Sequence, residues 1–558
     1  MKCKWIACLV FFLLELNTSF SQTRDYFIGF TDRTGTTYSL QQPLQFLSQR
    51  AIDRRTRQNI PFTADDLPVN QNYIDSVVVR GATLLNSIKW FNGVTVRCDS
   101  ATLLQLQTLP FVRQTVPVLR TVSSGKKVDK KLDESILVIP TSLMRSQTLD
   151  YGIGQRQVVQ LHADFLHDQS LNGQGMLIAV MDAGFNSADV IAAFDDLRNN
   201  NGIVSTWDFV AGNPSVYEDD SHGTSVLSCM AANVSGQLIG TAPSANFILL
   251  RTEDANTEYI IEEYNWAAAA AYADSAGVDV INSSLGYTEF DDGAMNHTYA
   301  DMNGNTCPIS IAADIAASKG MLVVSSAGNW GNSFWRYISA PADADSILAV
   351  GAVDSAGYKA SFSSWGPSAD GDIKPNVATM GRQAAFARAD GTYGTGNGTS
   401  FSSPILAGAA ACLWQAHPNK TNMEVKRAIE QSASYYNNPG DSLGYGIPNF
   451  MSAYLLLGGT TLQLSARDSL LSISPNPFSD RLLVSFYSAT AQRVTVRMFD
   501  ISGRLITEQT ELVASGQISP FELKLPSILQ SGIYQLEIRG TNSRYLRKVV
   551  ALENNNGR

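Results

Sequence analysis

The sequence is short of cysteine, histidine and positive charge. It has six cysteines and five histidines in 558 residues, and Cys3 and Cys8 fall in a leader that we expect to be removed. The remaining four cysteines do not imply a disulfide framework, although one disulfide stays open. Lys and Arg number 41 against 51 Asp and Glu, a formal net charge of −10. Because no basic stripe is interleaved with aromatic residues, we expect no nucleic-acid partner. The four remaining cysteines are Cys98, Cys229, Cys307 and Cys412.

Long apolar runs are also missing, apart from one near the N-terminus. Lys2 and Lys4 precede an apolar run from Trp5 to Leu14, and small residues follow as far as Ser21. This is the arrangement of a secretory signal, and the run is too short to span a bilayer. We therefore predict a signal peptide over residues 1–21 and an exported, soluble product.

The rest of the chain divides into three segments with different patterns. In residues 22–145, strand-like runs alternate with helical stretches, which predicts a small α+β unit; its charged segment 123–135 has no apolar period and reads as a linker. Residues 146–460 contain fully apolar runs, each followed by a helical stretch. Residues 461–470 read as a second linker, and residues 471–558 as short alternating strands between turn residues, typical of an antiparallel β-sandwich.

The apolar runs of the middle segment predict an α/β fold. Runs such as MLIAVMD, ANFILLR, VDVINSSLG, MLVVSSAGN and SILAVGAV suit strands buried on both faces, which occur in parallel sheets with helices on both sides. In such sheets, functional groups gather at the carboxyl ends of the strands.

Three side chains of this segment have the chemistry of nucleophilic acyl transfer. Asp182 ends an apolar run, His222 precedes an apolar helical stretch, and Ser400 lies among glycines and hydroxyls. We expect Ser400 just before a helix whose first turn holds Pro404. Each residue alone is better explained as a cap, a turn former or a structural histidine. Together they supply a hydroxyl nucleophile, an imidazole base and a carboxylate that orients the base.

The segments around these residues resemble those of subtilisin-like serine proteases, the subtilases. The order Asp, His, Ser is the one known from subtilisin. The resemblance covers about residues 151–456 and implies a subtilisin-like fold and a secreted endopeptidase that hydrolyses peptide bonds through an acyl-enzyme on Ser400, with His222 as general base and Asp182 orienting it. The matching segments are DAG at 182–184, SHGTS at 221–225 and NGTSFSSP at 397–404, with GTAPSANFILLR, VDVINSSLG, SSAGN and SFSSWGP between them.

The same resemblance implies further site residues. Asn329, in SSAGN, is expected to donate a hydrogen bond to the oxyanion of the tetrahedral intermediate, together with the Ser400 backbone N–H. Ser284, Leu285 and Gly286 match the segment that pairs with the substrate backbone and forms one wall of the pocket for the residue before the scissile bond. Trp330 either narrows or caps this pocket or is a surface aromatic.

The chain departs from the family pattern at three positions near the site. Ala183 stands where the family usually has Ser or Thr, which removes one hydroxyl donor to the Asp182 carboxylate. Ser225 replaces a frequent histidine, and Ser402 replaces a frequent alanine. None of these changes removes a reacting group.

The chemistry requires no cofactor, but structural calcium stays open. The loop AANVSGQLIG at 231–240 is one residue shorter than the common calcium-binding version in the family. The segment DMNGN at 301–305 offers oxygen ligands, although a polar turn is the more ordinary interpretation of it.

The flanking segments resemble processing and export units. Residues 22–145 fit a prosegment that assists folding and blocks the site, with a domain retained in the mature enzyme as the alternative. Residues 471–558 resemble the sorting domain read by the type IX secretion system, with a carbohydrate- or protein-binding sandwich as the alternative.

The predicted partners follow from these units. They are protein or peptide substrates, the chain's own prosegment as inhibitor, and a secretion machinery, which predicts a secreted or cell-surface location in a Gram-negative bacterium. A catalytically inactive subtilase fold used as a surface binding module is the alternative function, and an esterase or peptide ligase is a second one.

Overall fold

The protein is described here by a computed structural model. It describes residues 23–119, 133–135, 149–458 and 468–552, apart from positions 475, 477, 479–481, 516, 527 and 528. The predicted signal peptide at 1–21 lies outside the described residues, as do 123–132 of the first predicted linker and 461–467 of the second.

The N-terminal unit is an antiparallel sheet with three helices. Its strands follow the spatial order β2-β3-β1-β4, and neighbouring strands run antiparallel throughout. Alternate residues of β1, such as Tyr26 and Ile28, are buried in a small core of their own. The predicted α+β unit is therefore confirmed. Its elements are β1 (Arg24–Phe30), α1 (Gln49–Arg57), α2 (Gln71–Val78), β2 (Thr83–Ile88), β3 (Gly93–Cys98), α3 (Ser100–Gln107) and β4 (Val112–Leu119).

The central unit is built on a seven-stranded parallel sheet, as predicted. Its strands follow the order β14-β13-β12-β11-β6-β10-β7, and every neighbouring pair is parallel. β5 (Asp133–Ser135) belongs to the preceding linker. The strands of the central unit are β6 (Leu177–Asp182), β7 (Ile203–Asp208), β8 (Asn233–Val234), β9 (Leu238–Ile239), β10 (Asn246–Arg251), β11 (Val280–Ser283), β12 (Leu322–Ser326), β13 (Leu348–Val353), β14 (Val377–Met380), β15 (Ala384–Ala387) and β16 (Tyr393–Asn397). The helices are α4 (Gln155–Gln160), α5 (Asp164–Asp168), α6 (Asp195–Asn199), α7 (His222–Ala231), α8 (Ile261–Ala276), α9 (Pro308–Ser318), α10 (Thr399–Ala416), α11 (Asn422–Gln431) and α12 (Phe450–Leu456).

Both faces of this sheet are covered. Along β6, Ile178 and Val180 face a core that includes α7 and α10, whereas Ala179 and Met181 face a second core that includes α8 and α9. Burial of a side chain such as that of Ile178, Val180 or Met181 contributes about 1.5–3 kcal/mol to the stability of the fold. The continuous apolar pattern of the strands is thus explained by burial on both sides, and the polar residues that end them are left at one edge.

One local prediction was wrong. Helix α10 begins at Thr399, so Ser400 is its second residue rather than a residue before it, and Pro404 lies inside the helix. A proline in a helix leaves the carbonyl four residues earlier without its N–H donor. That carbonyl is Ser400 O, and it accepts a hydrogen bond of 2.9 Å from Ser284 Oγ instead. The helix can therefore continue through Pro404.

The first predicted linker also contains an element that its sequence did not indicate. Its last three residues, Asp133–Ser135, form β5 and pair antiparallel with β16. Pairing with an existing strand edge satisfies backbone groups whatever the side chains are, which is why a charged segment without an apolar period can be a strand here.

The C-terminal unit is the predicted sandwich of two antiparallel sheets, β17-β18-β21 and β20-β19-β22-β23. Its first strand begins at Ser469, inside the predicted linker 461–470. Alternate residues of the strands, such as Val494 and Val496, fill one core between the sheets. The strands are β17 (Ser469–Ser474), β18 (Leu482–Ser488), β19 (Gln492–Phe499), β20 (Leu505–Val513), β21 (Gln517–Leu523), β22 (Gly532–Arg539) and β23 (Arg544–Ala551).

Two further observations concern the chain as a whole. Within the described residues, no helix has the length and apolarity needed to cross a membrane. The four cysteines of these units, at positions 98, 229, 307 and 412, are buried free thiols.

Candidate active site

Asp182 and His222 meet at the carboxyl edge of the parallel sheet. Asp182 is the last residue of β6, and His222 is the first residue of α7. His222 Nδ1 lies 2.7 Å from Asp182 Oδ1. Because a carboxylate accepts, Nδ1 carries the proton of this hydrogen bond, and the other ring nitrogen, Nε2, is left as the basic atom.

The Asp182 carboxylate is fully buried and incompletely hydrogen-bonded. Oδ1 also accepts from the Ala183 backbone N–H at 2.9 Å, while Oδ2 is buried and has no hydrogen-bond partner among the described residues. Ala183 is adjacent to this carboxylate in the chain, and a serine or threonine there would carry a hydroxyl donor that alanine lacks. Burial raises the pKa of Asp182, and the neighbouring His222 opposes that rise.

The charges around His222 favour its protonated form. Burial alone lowers the pKa of the imidazole, but the charge and hydrogen bond of Asp182 outweigh it, and the charges of Glu253 and Asp220 add to their effect. The resulting pKa of His222 is about 9. Glu253 was missed from the sequence, since it follows β10 and only the order of the strands places β10 beside β6.

The glycine after His222 is required by the close approach of two segments. A Cβ atom on Gly223 would overlap the Gly184 carbonyl oxygen and lie 3.0 Å from Asp182 Cβ. The SHG and DAG segments therefore pack against each other through glycine, and this contact sets the distance between the imidazole and the carboxylate.

Ser400 lies at the start of α10, which packs against α7. Its Oγ donates a hydrogen bond to the Ser284 carbonyl at 3.3 Å, and Ser284 Oγ donates to the Ser400 carbonyl at 2.9 Å. In this structure Ser400 Oγ is thus hydrogen-bonded to Ser284 and not to His222. Catalytic hydrogen bonds are often long or misaligned before substrate binds.

Asn329 is oriented by the residue before the serine. Its Oδ1 accepts from the Thr399 backbone N–H and from Thr399 Oγ1, both at 2.9 Å. With the oxygen held in this way, the Nδ2 group points away from Thr399, and it lies 3.8 Å from the position of a Cβ on Gly398. The sequence indicated Asn329 but not Thr399, because this contact joins residues 70 positions apart.

The segment from Ser284 to Gly286 continues from the end of β11. Ser284 and Leu285 are buried, and the Leu285 carbonyl accepts from Ser326 Oγ at 3.2 Å. The segment is therefore fixed both to β12 and, through Ser284, to α10. The structure places it directly beside Ser400.

Of the two segments considered for calcium, DMNGN has side-chain oxygens that already accept internal hydrogen bonds. Asp301 accepts from the backbone N–H and the hydroxyl of Thr298, each at 2.7 Å, and Asn303 Oδ1 accepts from the Asn305 N–H and from Thr306 Oγ1. In the other loop, Asn233 donates to Asp196.

The DMNGN segment is thus hydrogen-bonded as a polar turn, with Asp301 Oδ2 and Asn303 Oδ1 each accepting two hydrogen bonds. Carboxylates of the described residues converge elsewhere, at Glu253, Glu258 and Glu262 and at Asp345, Asp370 and Asp372.

Comparisons with known proteins identify all three units. Residues 173–447 match the model of the subtilase family, residues 25–134 match that of the peptidase S8 propeptide domain of Bacteroidota, and residues 472–552 match that of a secretion system C-terminal sorting domain. The chain is 34% identical over 305 residues to Subtilisin E of Bacillus subtilis (strain 168), covering 54% of this chain and 69% of that protein.

Two further relatives show similar agreement. Subtilisin of Bacillus pumilus is 34% identical over 54% of this chain and 96% of its own length. A thermostable alkaline protease of Halalkalibacterium halodurans is 29% identical over 58% of this chain and 80% of its own length.

Proposed function

The chain belongs to the subtilase family, and from that membership and the geometry of its site we propose that Ser400 is the nucleophile, His222 the general base and Asp182 the residue that orients the base. Family membership makes the protein a subtilisin-like serine endopeptidase. Its sorting domain and its Bacteroidota propeptide domain together make it a secreted or cell-surface protein of the Bacteroidota. The observation that carries the residue assignment is the 2.7 Å contact between His222 Nδ1 and Asp182 Oδ1, at the sheet edge where Ser400 lies in the first turn of α10.

Acylation begins when Ser400 Oγ turns from the Ser284 carbonyl to the imidazole. Oγ attacks the carbonyl carbon of the scissile peptide bond, and its proton passes to His222 Nε2. The buried Asp182 stabilises the imidazolium that forms, consistent with the raised pKa of His222. The C–N bond then breaks, the leaving amine takes the proton from His222, and an ester remains on Ser400.

The oxyanion of the tetrahedral intermediate is stabilised by two donors. Asn329 Nδ2 is one, since Thr399 holds the other end of the amide. The Ser400 backbone N–H is the second; as the second residue of α10 it has no partner within the helix, and the helix N-terminus favours negative charge. Water, deprotonated by His222, hydrolyses the ester and restores Ser400.

The substrate backbone is expected to lie along Ser284, Leu285 and Gly286. This segment is fixed to α10 by the hydrogen bond from Ser284 Oγ to Ser400 O, so a chain bound beside it is held in register with the nucleophile. Leu285 and Gly286 would then form one wall of the pocket for the residue before the scissile bond.

The N-terminal unit is proposed to act as an inhibitor of the central one. Asp274 of α8 binds three cations of the N-terminal unit: Arg54 at 2.5 Å, Arg55 at 2.9 Å and Lys89 at 2.8 Å. Strand β5 adds to this attachment by pairing with β16, which leads directly to Ser400. A prosegment held in this way keeps the chain beside the nucleophile until it is cut and released.

The C-terminal sandwich is proposed to be read by the secretion machinery. Deletion of residues 471–558 should leave the enzyme in the periplasm, because the sorting signal is then missing. Fractionation of cells expressing the truncated and complete chains measures this, and normal export of the truncated chain would contradict the sorting role.

The domain boundaries and a structural calcium site are also proposals, and each has a direct measurement. The boundaries 1–21, 22–145, 146–460, 461–470 and 471–558 are tested by mass spectrometry of the termini of the secreted protein. Subtilases often bind structural calcium, and a rise in Tm on adding Ca²⁺ to chelator-treated protein would support such a site in this chain.

The nucleophile is tested with a fluorophosphonate probe. The complete chain should be labelled, and Ser400→Ala should not. Ser402→Ala is the matched control, since Ser402 lies two residues along the same helix, is fully buried and stands where alanine is frequent in the family. Labelling that survives Ser400→Ala would place the nucleophile elsewhere, and no labelling of the mature wild type would support an inactive fold.

A further inference from the structure

Trp330 occupies the space between two segments that flank the nucleophile. It follows Gly328 and Asn329 after β12, and its backbone N–H donates to Ser364 Oγ at 3.1 Å. The benzene edge of its indole lies against Gly328, because a Cβ there would be 2.7 Å from Trp330 Cε3 and 2.8 Å from Cζ3. Such a close approach is possible only to a glycine. The ring is therefore turned back over its own loop.

The same edge of the indole reaches the opposite segment. A Cβ on Gly286 would lie 3.4 Å from Trp330 Cζ3, the atom that also contacts Gly328. The space between Gly286 and Gly328 is consequently the width of one aromatic ring. In the proposed function, Gly286 belongs to one wall of the pocket for the residue before the scissile bond, and Gly328 directly precedes Asn329, the proposed oxyanion donor.

The end of this space is closed by a buried hydroxyl. Ser339 is fully buried, its Cβ lies 3.3 Å from the position of a Cβ on Gly286, and its Oγ would overlap that Cβ. Ser339 Oγ has no hydrogen-bond partner among the described residues. A buried hydroxyl without a partner is costly, and a small polar side chain that reaches this end of the space by a slight shift of the indole edge would satisfy it.

We propose that this enzyme cleaves after small residues, namely glycine, alanine and serine, and that Trp330 sets this limit while Ser339 forms a polar base to the pocket. The proposal rests on the proposed function, since it takes the catalytic role of Ser400 and the wall formed by Ser284–Gly286 as given. A methyl or hydroxymethyl group fits beside the indole edge. A leucine or phenylalanine side chain requires the ring to move out of its contacts with both glycines.

The experiment uses the secreted, self-matured enzyme and tetrapeptide nitroanilides that differ only in the residue before the scissile bond. Wild type is expected to show a kcat/KM for alanine at least about tenfold above that for phenylalanine. Trp330→Ala should raise the phenylalanine-to-alanine ratio by at least about tenfold, because it vacates the space of a ring. Phe334→Ala is the matched control: Phe334 is a fully exposed aromatic of the same loop, and its removal should leave the ratio unchanged.

A second variant addresses the base of the pocket. Ser339→Ala should lower kcat/KM for serine relative to alanine by about threefold or more, mainly through KM, because the hydrogen bond to the substrate hydroxyl is lost. An equal serine-to-alanine ratio in Ser339→Ala and wild type would overturn the role of the hydroxyl.

Active-site titration with the fluorophosphonate probe distinguishes a failure of the pocket proposal from a failure of the catalytic assignment of Ser400. If Ser400 is labelled and wild type prefers phenylalanine or leucine to alanine, the pocket proposal is overturned and the catalytic assignment stands. If no Ser400-dependent hydrolysis occurs, both are overturned. Even where Trp330→Ala fails to mature, the wild-type ratio of kcat/KM for alanine to that for phenylalanine decides whether the pocket prefers small residues.

Discussion

Replacing Ala183 with serine should stabilise the protein, although most substitutions into a buried site destabilise. The Asp182 carboxylate is fully buried, its Oδ1 atom has two donors, and its Oδ2 atom has none. A hydrogen bond to a charged group contributes about 1.5–3 kcal/mol. Allowing for burial of the new hydroxyl, we expect a gain of about 1–2 kcal/mol, which corresponds to several degrees in Tm for a domain of this size.

The assay is differential scanning calorimetry of Ala183→Ser in a Ser400→Ala background, which prevents self-digestion. Ala179→Ser is the control, because Ala179 lies on the same strand, is also fully buried and faces an apolar core. There the hydroxyl meets no unpaired acceptor, so Tm should fall. If the two variants lower Tm by the same amount, Oδ2 does not lack a donor and the reasoning is refuted.

The same substitution has a catalytic readout in the active enzyme. A new hydrogen bond to the carboxylate lowers the pKa of Asp182 and weakens its attraction for the imidazolium, so the pKa of His222 should fall from about 9. Since only the neutral imidazole accepts a proton from Ser400, the rise of kcat/KM with pH should move to lower pH. An unchanged pH profile would contradict this account of the charge balance.

Three further predictions concern other parts of the machinery. Asn329→Ala should lower kcat by about 10²–10³-fold with little change in KM, a magnitude taken from subtilisin itself; an unchanged kcat would exclude its oxyanion role. Glu253→Gln removes a charge that raises the pKa of His222. The pH at which kcat/KM rises should therefore be lower than in wild type, and a shift of that pH to a higher value would contradict this. Asp274→Asn removes a carboxylate that pairs with the buried Arg55, and loss of one member of a buried ion pair destabilises by about 3–5 kcal/mol. The cleaved prosegment should therefore no longer co-elute with the enzyme in gel filtration.

The parallel sheet could be predicted because each strand is indicated by the residues of that strand alone. Each strand is a continuous apolar run that ends in polar residues, and the two faces of β6 are both buried, as the run from Leu177 to Met181 implied. The start of α10 could not be predicted in this way. A proline such as Pro404 is favoured in the first turn of a helix, whereas here the helix begins five residues earlier. The carbonyl that Pro404 leaves without a donor is satisfied by Ser284, 116 positions earlier in the chain.

The residues proposed to react could be selected from the sequence, but the residues that surround them could not. Asp182, His222 and Ser400 stand in motifs that are recognisable in the printed sequence. The residues that orient or perturb them are joined to them only through the fold, as Thr399 is to Asn329 and Glu253 is to His222. A single sequence contains no signal for such pairs, because neither spacing nor composition distinguishes them from ordinary polar residues.

The ion cluster between the N-terminal and central units contributes to stability in a different way from the hydrophobic cores. The side chains of Arg54, Arg55 and Asp274 are completely buried, and buried ion pairs add little net stability because desolvation offsets their attraction. They do, however, destabilise any state in which one charged side chain stays buried without its partner. The three neighbouring cations hold the pKa of Asp274 well below its usual range although burial opposes them, so its contribution is present above about pH 4 and lost as pH falls below it. The prosegment should therefore stay docked at neutral pH after cleavage of its linker and dissociate in acid, a behaviour that apolar burial alone would not produce.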